Sequence, residues 1–98
     1  MSRFLPLAVL VLFLAACKGP PVQEMSDARQ AITAARNAGA AARAPADLKA
    51  AQAAIERAES HLQAREYTRA RMAAIEAKHE ATSALRSAER AGPPADPH

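Results

Sequence analysis

One cysteine, three histidines and ten carboxylates are the residues of this 98-residue chain with reactive chemistry to offer. Cys17 is the only thiol, so it closes no disulfide within the chain, and it has no histidine paired with it as a catalytic base. His79-Glu80 opens as a zinc-binding helix does, but such a helix needs a second histidine four residues after the first, and that position is Ser83. If the chain doubles back near Arg65, His61 faces the region of residue 69 and His79 the region of residue 51. No metal site and two exposed histidines are therefore expected. Glu56, Glu59, Glu76 and Glu80 include same-face pairs, yet paired carboxylates do acid–base work only where burial or a neighbour splits their pKa values. On an alanine-rich helix they read as a solvated face. Arg29, Arg36 and Arg43 recur every seven residues, and Arg65, Arg69 and Arg71 cluster. Those six are the candidates for contact with an anionic surface, a lipid headgroup layer or a cell-wall polymer. The plainer reading, a charged outer face that keeps a helical rod soluble, is the favoured one. No glycine-rich phosphate loop and no nucleophile elbow is present in the sequence, and neither an enzyme nor a cofactor is expected.

Composition sets the same bounds. Half of the residues are hydrophobic, but 28 of them are alanine and ten large ones fall within the first fourteen positions. The core must be built from Val22, Met25, Ile32, Leu48, Ile55, Leu62, Tyr67, Met72, Ile75 and Leu85. So few large side chains bury little surface and leave no room for a deep pocket. Arg3 aside, twelve basic residues face ten acidic ones, and Tyr67 is the only aromatic residue after Phe13. That balance argues against nucleic acid as a partner.

The first residues have a different purpose. Met1-Ser2-Arg3 is a short positive start, and Phe4 to Leu14 is apolar apart from Pro6. About eleven apolar residues are too few for a membrane-spanning helix, which needs roughly twenty. Residues 1–16 read as a secretory signal peptide that is removed. Leu14-Ala15-Ala16-Cys17 resembles the bacterial lipobox, an aliphatic residue, two small residues and a cysteine. The resemblance implies cleavage before Cys17, a diacylglycerol thioether on its sulfur and acylation of the freed amine. More than one acyl chain holds a protein on a bilayer durably. The expected product is tethered to the membrane by lipid and faces the periplasm. Lys18 after the cysteine, where other Gram-negative lipoproteins carry aspartate if they stay behind, implies the inner leaflet of the outer membrane.

Residues 17–24, with Lys18-Gly19-Pro20-Pro21, read as the lipidated cysteine and a short spacer. Residues 92–98, with three prolines, read as a disordered tail. Between them, residues 25–91 are rich in alanine, arginine, glutamate and glutamine, strong helix formers, and no stretch alternates as a strand does. The fold class is all-α. Gly39 and Pro45 separate a first helix, from about Met25 to Ala38 with Glu24 or Ser26 near its start, from a second over Pro45–Ala64. A change of apolar phase across Gln63-Ala64-Arg65-Glu66 predicts a tight turn without glycine or proline. A third helix then runs from Tyr67 to Ala91. Leu48, Ile55 and Leu62 lie seven apart, Met25 and Ile32 likewise, and Tyr67, Ala74, Ala81 and Ala88 alternate with Ala70, Ala77 and Ala84 in the same repeat. The expectation is a hairpin of the second and third helices, closed on an alanine seam, with the first packed alongside as a small bundle. Ala73, one residue off the seam, is expected on the outside.

The segments Ala28-Arg29-Gln30-Ala31-Ile32, Ala38-Gly39-Ala40, Ala44-Pro45-Ala46-Asp47-Leu48 and Glu66-Tyr67-Thr68-Arg69-Ala70-Arg71, together with Leu62, resemble the bacterial envelope proteins grouped as domain of unknown function 4398. The resemblance spans roughly Met25 to Ala91 and implies an alanine-rich helical domain of a lipoprotein, sometimes beside a peptidoglycan-binding module. The sequence ends at His98 and none is expected here. The family brings no activity and no site residues. Leu48 to Ala81 also resembles a single tetratricopeptide unit, although such repeats stack in threes or more. Two functions follow as expectations. The first is a structural or adaptor protein of the envelope without catalysis. The alternative is a binding module for a partner helix, or for anionic cell-wall polymer such as peptidoglycan.

Overall fold

A computed structural model of the chain describes residues 19–91. The expected signal peptide, the lipobox with Cys17, and the tail over 92–98 lie outside the described residues. Four helices follow one another: α1 (Val22–Asn37), α2 (Ala40–Arg43), α3 (Pro45–Gln63) and α4 (Tyr67–Arg90), with no strand among the described residues. The third helix of the sequence reading is thus α4, and a single turn, α2, fills the connection between Gly39 and Pro45.

α1 starts three residues before the expected Met25. Pro21 is its N-cap, fully buried, and its carbonyl accepts from the Met25 N–H at 3.0 Å. Proline's fixed φ sets the chain up to enter a helix, and nothing in Val22-Gln23-Glu24 opposes one, so the expected spacer gives way to helix at Val22. Gly39 ends α1 in the left-handed region, φ +86°, with its N–H donating to the Arg36 carbonyl. Pro45 stands at the first position of α3, where its missing N–H leaves nothing unsatisfied.

The turn between α3 and α4 falls where it was predicted, and its mechanism is a Schellman cap. The Glu66 N–H donates to the His61 carbonyl at 2.8 Å and the Arg65 N–H to the Leu62 carbonyl at 3.0 Å. The residue that must be left-handed is Arg65, at φ 60°. Glycine usually occupies that position, so the turn carries backbone strain.

The three long helices pack up, down and up in layers. Met25 meets Ala58, Ala73 and Ala74 near the hairpin turn, and Ala28 meets Ala54 and Ala77 in the next layer. Ile32, Ala35, Leu48, Ala51, Ala81 and Ala84 lie further along, with Ala40, Ala44 and Ala88 in the same cluster. Ile55 packs against all three clusters. α1 therefore runs parallel to α4 and antiparallel to α3. The predicted alanine seam is present, every one of its residues at 0 % exposure. Small side chains there let the helix axes approach closely.

Two expectations about the core are corrected. Ala73 is buried, 8 % exposed, because α4 packs against α1 as well as α3 and its buried stripe is wider than a two-helix seam. Val22, Met72 and Ile75 are exposed, at 73 %, 67 % and 41 %, so the core holds fewer large residues than the sequence offers. Alanine does most of the packing, and each such side chain contributes little buried area.

Candidate functional site

Among the described residues, one ion pair joins each pair of long helices. Arg29 of α1 reaches Glu59 of α3 at 3.4 Å, Arg57 of α3 bonds Glu76 of α4, and Arg71 of α4 stands 3.5 Å from Glu24 of α1. Exposed pairs of this kind contribute at most about 1 kcal/mol each, and their effect is on register and orientation. Glu59 and Glu76, expected as part of a merely solvated face, each answer an arginine from a neighbouring helix.

The six arginines do not form one patch. Arg29 and Arg36 stand on α1 beside α3. Arg43 is swung out of their row, because the chain turns at Gly39 and the seven-residue count is carried across a break. Its guanidinium donates to the Ala88 carbonyl at 3.4 Å, near the end of α4. Arg65 and Arg69 are exposed at the hairpin turn, Arg69 within 3.6 Å of Glu66. Arg71, 28 % exposed, donates to the Gly19 carbonyl at 2.9 Å and is a structural clasp. Arg36 and Arg65 have no ion-pair partner among the described residues.

The large apolar residues of α1 and α3 line a groove between those two helices. It consists of three successive hollows of about 140, 280 and 420 Å³. The first is lined by Pro20, Val22, Met25 and Leu62, the second by Ile32 and Ile55, and the third by Leu48, Pro45 and Ala41. Arg29 borders the first and second, and Arg36 and Gln52 border the second and third, while Lys49 flanks the third. The groove was not anticipated, but its signal was in the sequence. Met25, Ile32, Leu48, Ile55 and Leu62 all belong to α1 and α3, while α4 contributes only alanine to the fully buried layers. Large residues on one pair of facing helices hold them apart, and α1 leans on α4 instead.

At the hairpin pole His61 Nδ1 and Glu66 Oε1 are 2.8 Å apart. A carboxylate only accepts, so the ring donates from Nδ1. This hydrogen bond chiefly, with the nearby charge of Arg69, holds the Glu66 carboxyl below its ordinary value against the opposing effect of desolvation. His61 is therefore engaged and half-buried, where an exposed side chain was expected, while His79 is exposed. No three His, Cys, Asp or Glu side chains converge on a metal-sized position among the described residues. None of the described residues buries a polar or charged side chain.

Fold and groove together define a small alanine-seamed helical bundle with an open α1–α3 face edged by Arg29, Arg36, Lys49 and Glu59. The family model described as Domain of unknown function (DUF4398) matches residues 23–92, and the chain belongs to that family. The resemblance seen in the sequence between Met25 and Ala91 thus holds for the whole domain. No curated protein and no solved structure matches the chain.

Proposed function

We propose that the chain is a non-catalytic helical protein of a Gram-negative cell envelope, held by lipid on Cys17 on the inner leaflet of the outer membrane, with a structural or adaptor role in the periplasm. The observation that carries this reading is the α1–α3 groove, an open surface for a partner on a bundle whose described polar side chains all reach solvent. Catalysis by shifted acid–base groups needs enclosed titratable side chains, and this surface offers open contact instead. The anchor rests on Leu14-Ala15-Ala16-Cys17 and its apolar leader. No described helix is long and apolar enough to cross a membrane. The test is intact mass measurement on membrane fractions. The wild-type protein is expected to lack residues 1–16 and to carry acyl mass, while Cys17→Ser shows neither change. A wild-type protein without acyl mass would sink the reading.

One observation favours the alternative, a module for anionic cell-wall polymer. Arg36 and Lys49 border the same hollow with no carboxylate in ion-pair range among the described residues. Isolated sacculi separate the two. Retention at low salt that disappears at high salt supports arginine-led polymer binding, because exposed charges are screened beyond about 10 Å at ~0.1 M salt. Absence of retention at either salt concentration leaves the adaptor reading.

A further inference from the structure

The way the chain enters the bundle determines which end of it meets the membrane. We propose that the hairpin pole is a membrane-facing surface, docked through Arg65 and Arg69 onto the anionic headgroups of the bilayer that holds the acylated Cys17. The inference rests on the lipid-anchor reading above and adds an orientation and a second contact to it.

Three observations meet at this pole. Arg71, near the start of α4, fastens the Gly19 carbonyl at 2.9 Å, and Pro21 is fully buried, so the entering chain has a fixed position. Cys17 lies two residues before Gly19, a reach of about 7 Å at full extension. The anchor is therefore short and starts beside the hairpin turn, not at the far pole that holds Gly39 and Pro45.

The second observation is charge. Arg65 projects from the turn without an ion-pair partner among the described residues, and Arg69 is exposed in the first turn of α4. The acidic groups of this pole are engaged, Glu66 with His61 at 2.8 Å and Glu24 with Arg71, while Arg69 stands further from Glu66, at 3.6 Å, with 72 % of its side chain exposed. The third is apolar exposure. All the exposed large apolar residues among those described, Val22, Met72 and Ile75, lie in the half of the bundle nearest this turn. Such side chains beside arginine are unfavourable in water but suited to a headgroup layer, where apolar groups settle at the acyl boundary and cations among the phosphates. Tethering keeps the pole within reach of that layer at all times, so even a weak attraction holds it there.

The protein carries its own probe. Tyr67 is its single tyrosine, it has no tryptophan, and it sits at the turn between Arg65 and Arg69. Full-length protein, made in a Gram-negative host and extracted in its acylated form, is placed in phosphatidylcholine vesicles with or without phosphatidylglycerol. With the anionic lipid, tyrosine fluorescence should be quenched by headgroup-labelled nitroxide lipid and shielded from aqueous acrylamide. Arg65→Gln and Arg69→Gln should each weaken that docking roughly fivefold, and high salt should abolish it. Arg86→Gln, exposed toward the other end of α4, should leave it unchanged, with helicity by circular dichroism as the folding check for each variant. Tyr67 equally open to acrylamide on both vesicles, in a protein whose mass shows acyl chains, would overturn the orientation alone. A protein without acyl mass would overturn the anchor and the orientation together.

Discussion

The Arg71 guanidinium donates to the Gly19 carbonyl across 52 residues of sequence, and the same group stands 3.5 Å from the Glu24 carboxylate. One side chain of α4 thus holds both the first turn of α1 and the chain leading into it. Arg71→Gln keeps most of the stem and loses the charge and the fork. It should cost about 1 kcal/mol in thermal unfolding and expose the Gly19–Gln23 segment to protease. Arg69→Gln removes only an exposed pair with Glu66, the N-cap of the same helix, and should change stability by less than about 0.5 kcal/mol. Equal losses from the two would mean that the clasp contributes nothing beyond surface charge.

The alanine layers make a second test. Ala74→Leu places three extra heavy atoms against Met25 and Ala58 and should cost about 1–3 kcal/mol. Ala73 belongs to the same cluster, so Ala73→Leu should also destabilise, though less, because a fraction of its surface remains open. Ala53, exposed on α3, is the neutral position, and Ala53→Leu should leave the melting temperature within about two degrees for a change of a few tenths of a kcal/mol. Circular dichroism melts of the three variants decide the order.

Ala73 also shows where sequence reading stops. The heptad of α4 is visible in Ala70, Ala74, Ala77, Ala81, Ala84 and Ala88, because a seam between two helices repeats every seven residues. A helix flanked by two neighbours buries a wider stripe, and nothing in the spacing tells which side the second neighbour takes. Arg43 failed for a related reason, since its seven-residue spacing from Arg36 crosses the Gly39 turn. The turn at Arg65 was legible from the change of phase, whereas its left-handed residue was not, because arginine carries no local mark of that conformation. Arg71, grouped with Arg65 and Arg69 by proximity in sequence, faces α1 and serves the fold.

The two left-handed caps should respond to substitution in opposite directions. Arg65→Gly relieves a positive φ that a side chain resists and should stabilise the bundle by about 0.5–1 kcal/mol. Gly39→Ala imposes the same strain at φ +86° and should cost about 1 kcal/mol. An alanine Cβ there would meet the Arg43 side chain at 3.7 Å, an ordinary contact, so the loss would come from the backbone. Chemical denaturation midpoints would measure both, and a loss on Arg65→Gly would contradict the strain.

The His61–Glu66 hydrogen bond predicts an acid limb. The Glu66 carboxyl is held below its ordinary value of 4.5, so the unfolded chain takes up its proton at higher pH than the folded one. The stability it adds is present above pH 4.5 and is lost as pH falls through the lower folded value. Glu66→Gln should flatten the fall in melting temperature below pH 4.5 relative to wild type. Parallel curves for the two proteins would show that the hydrogen bond does not favour the ionised carboxyl.

Because α1 enters at the hairpin pole and α4 ends at the opposite one, the described residues begin and end about 36 Å apart along a 24-residue helix. A pull applied between the two poles would run along α4, with the Arg71 clasp loaded first. α1 and α4 lie parallel, so that tension would slide their alanine layers past one another and break many contacts together. A hairpin pulled from two ends at the same pole would open one layer at a time. Tension between the two poles is thereby resisted by shear of several alanine layers at once.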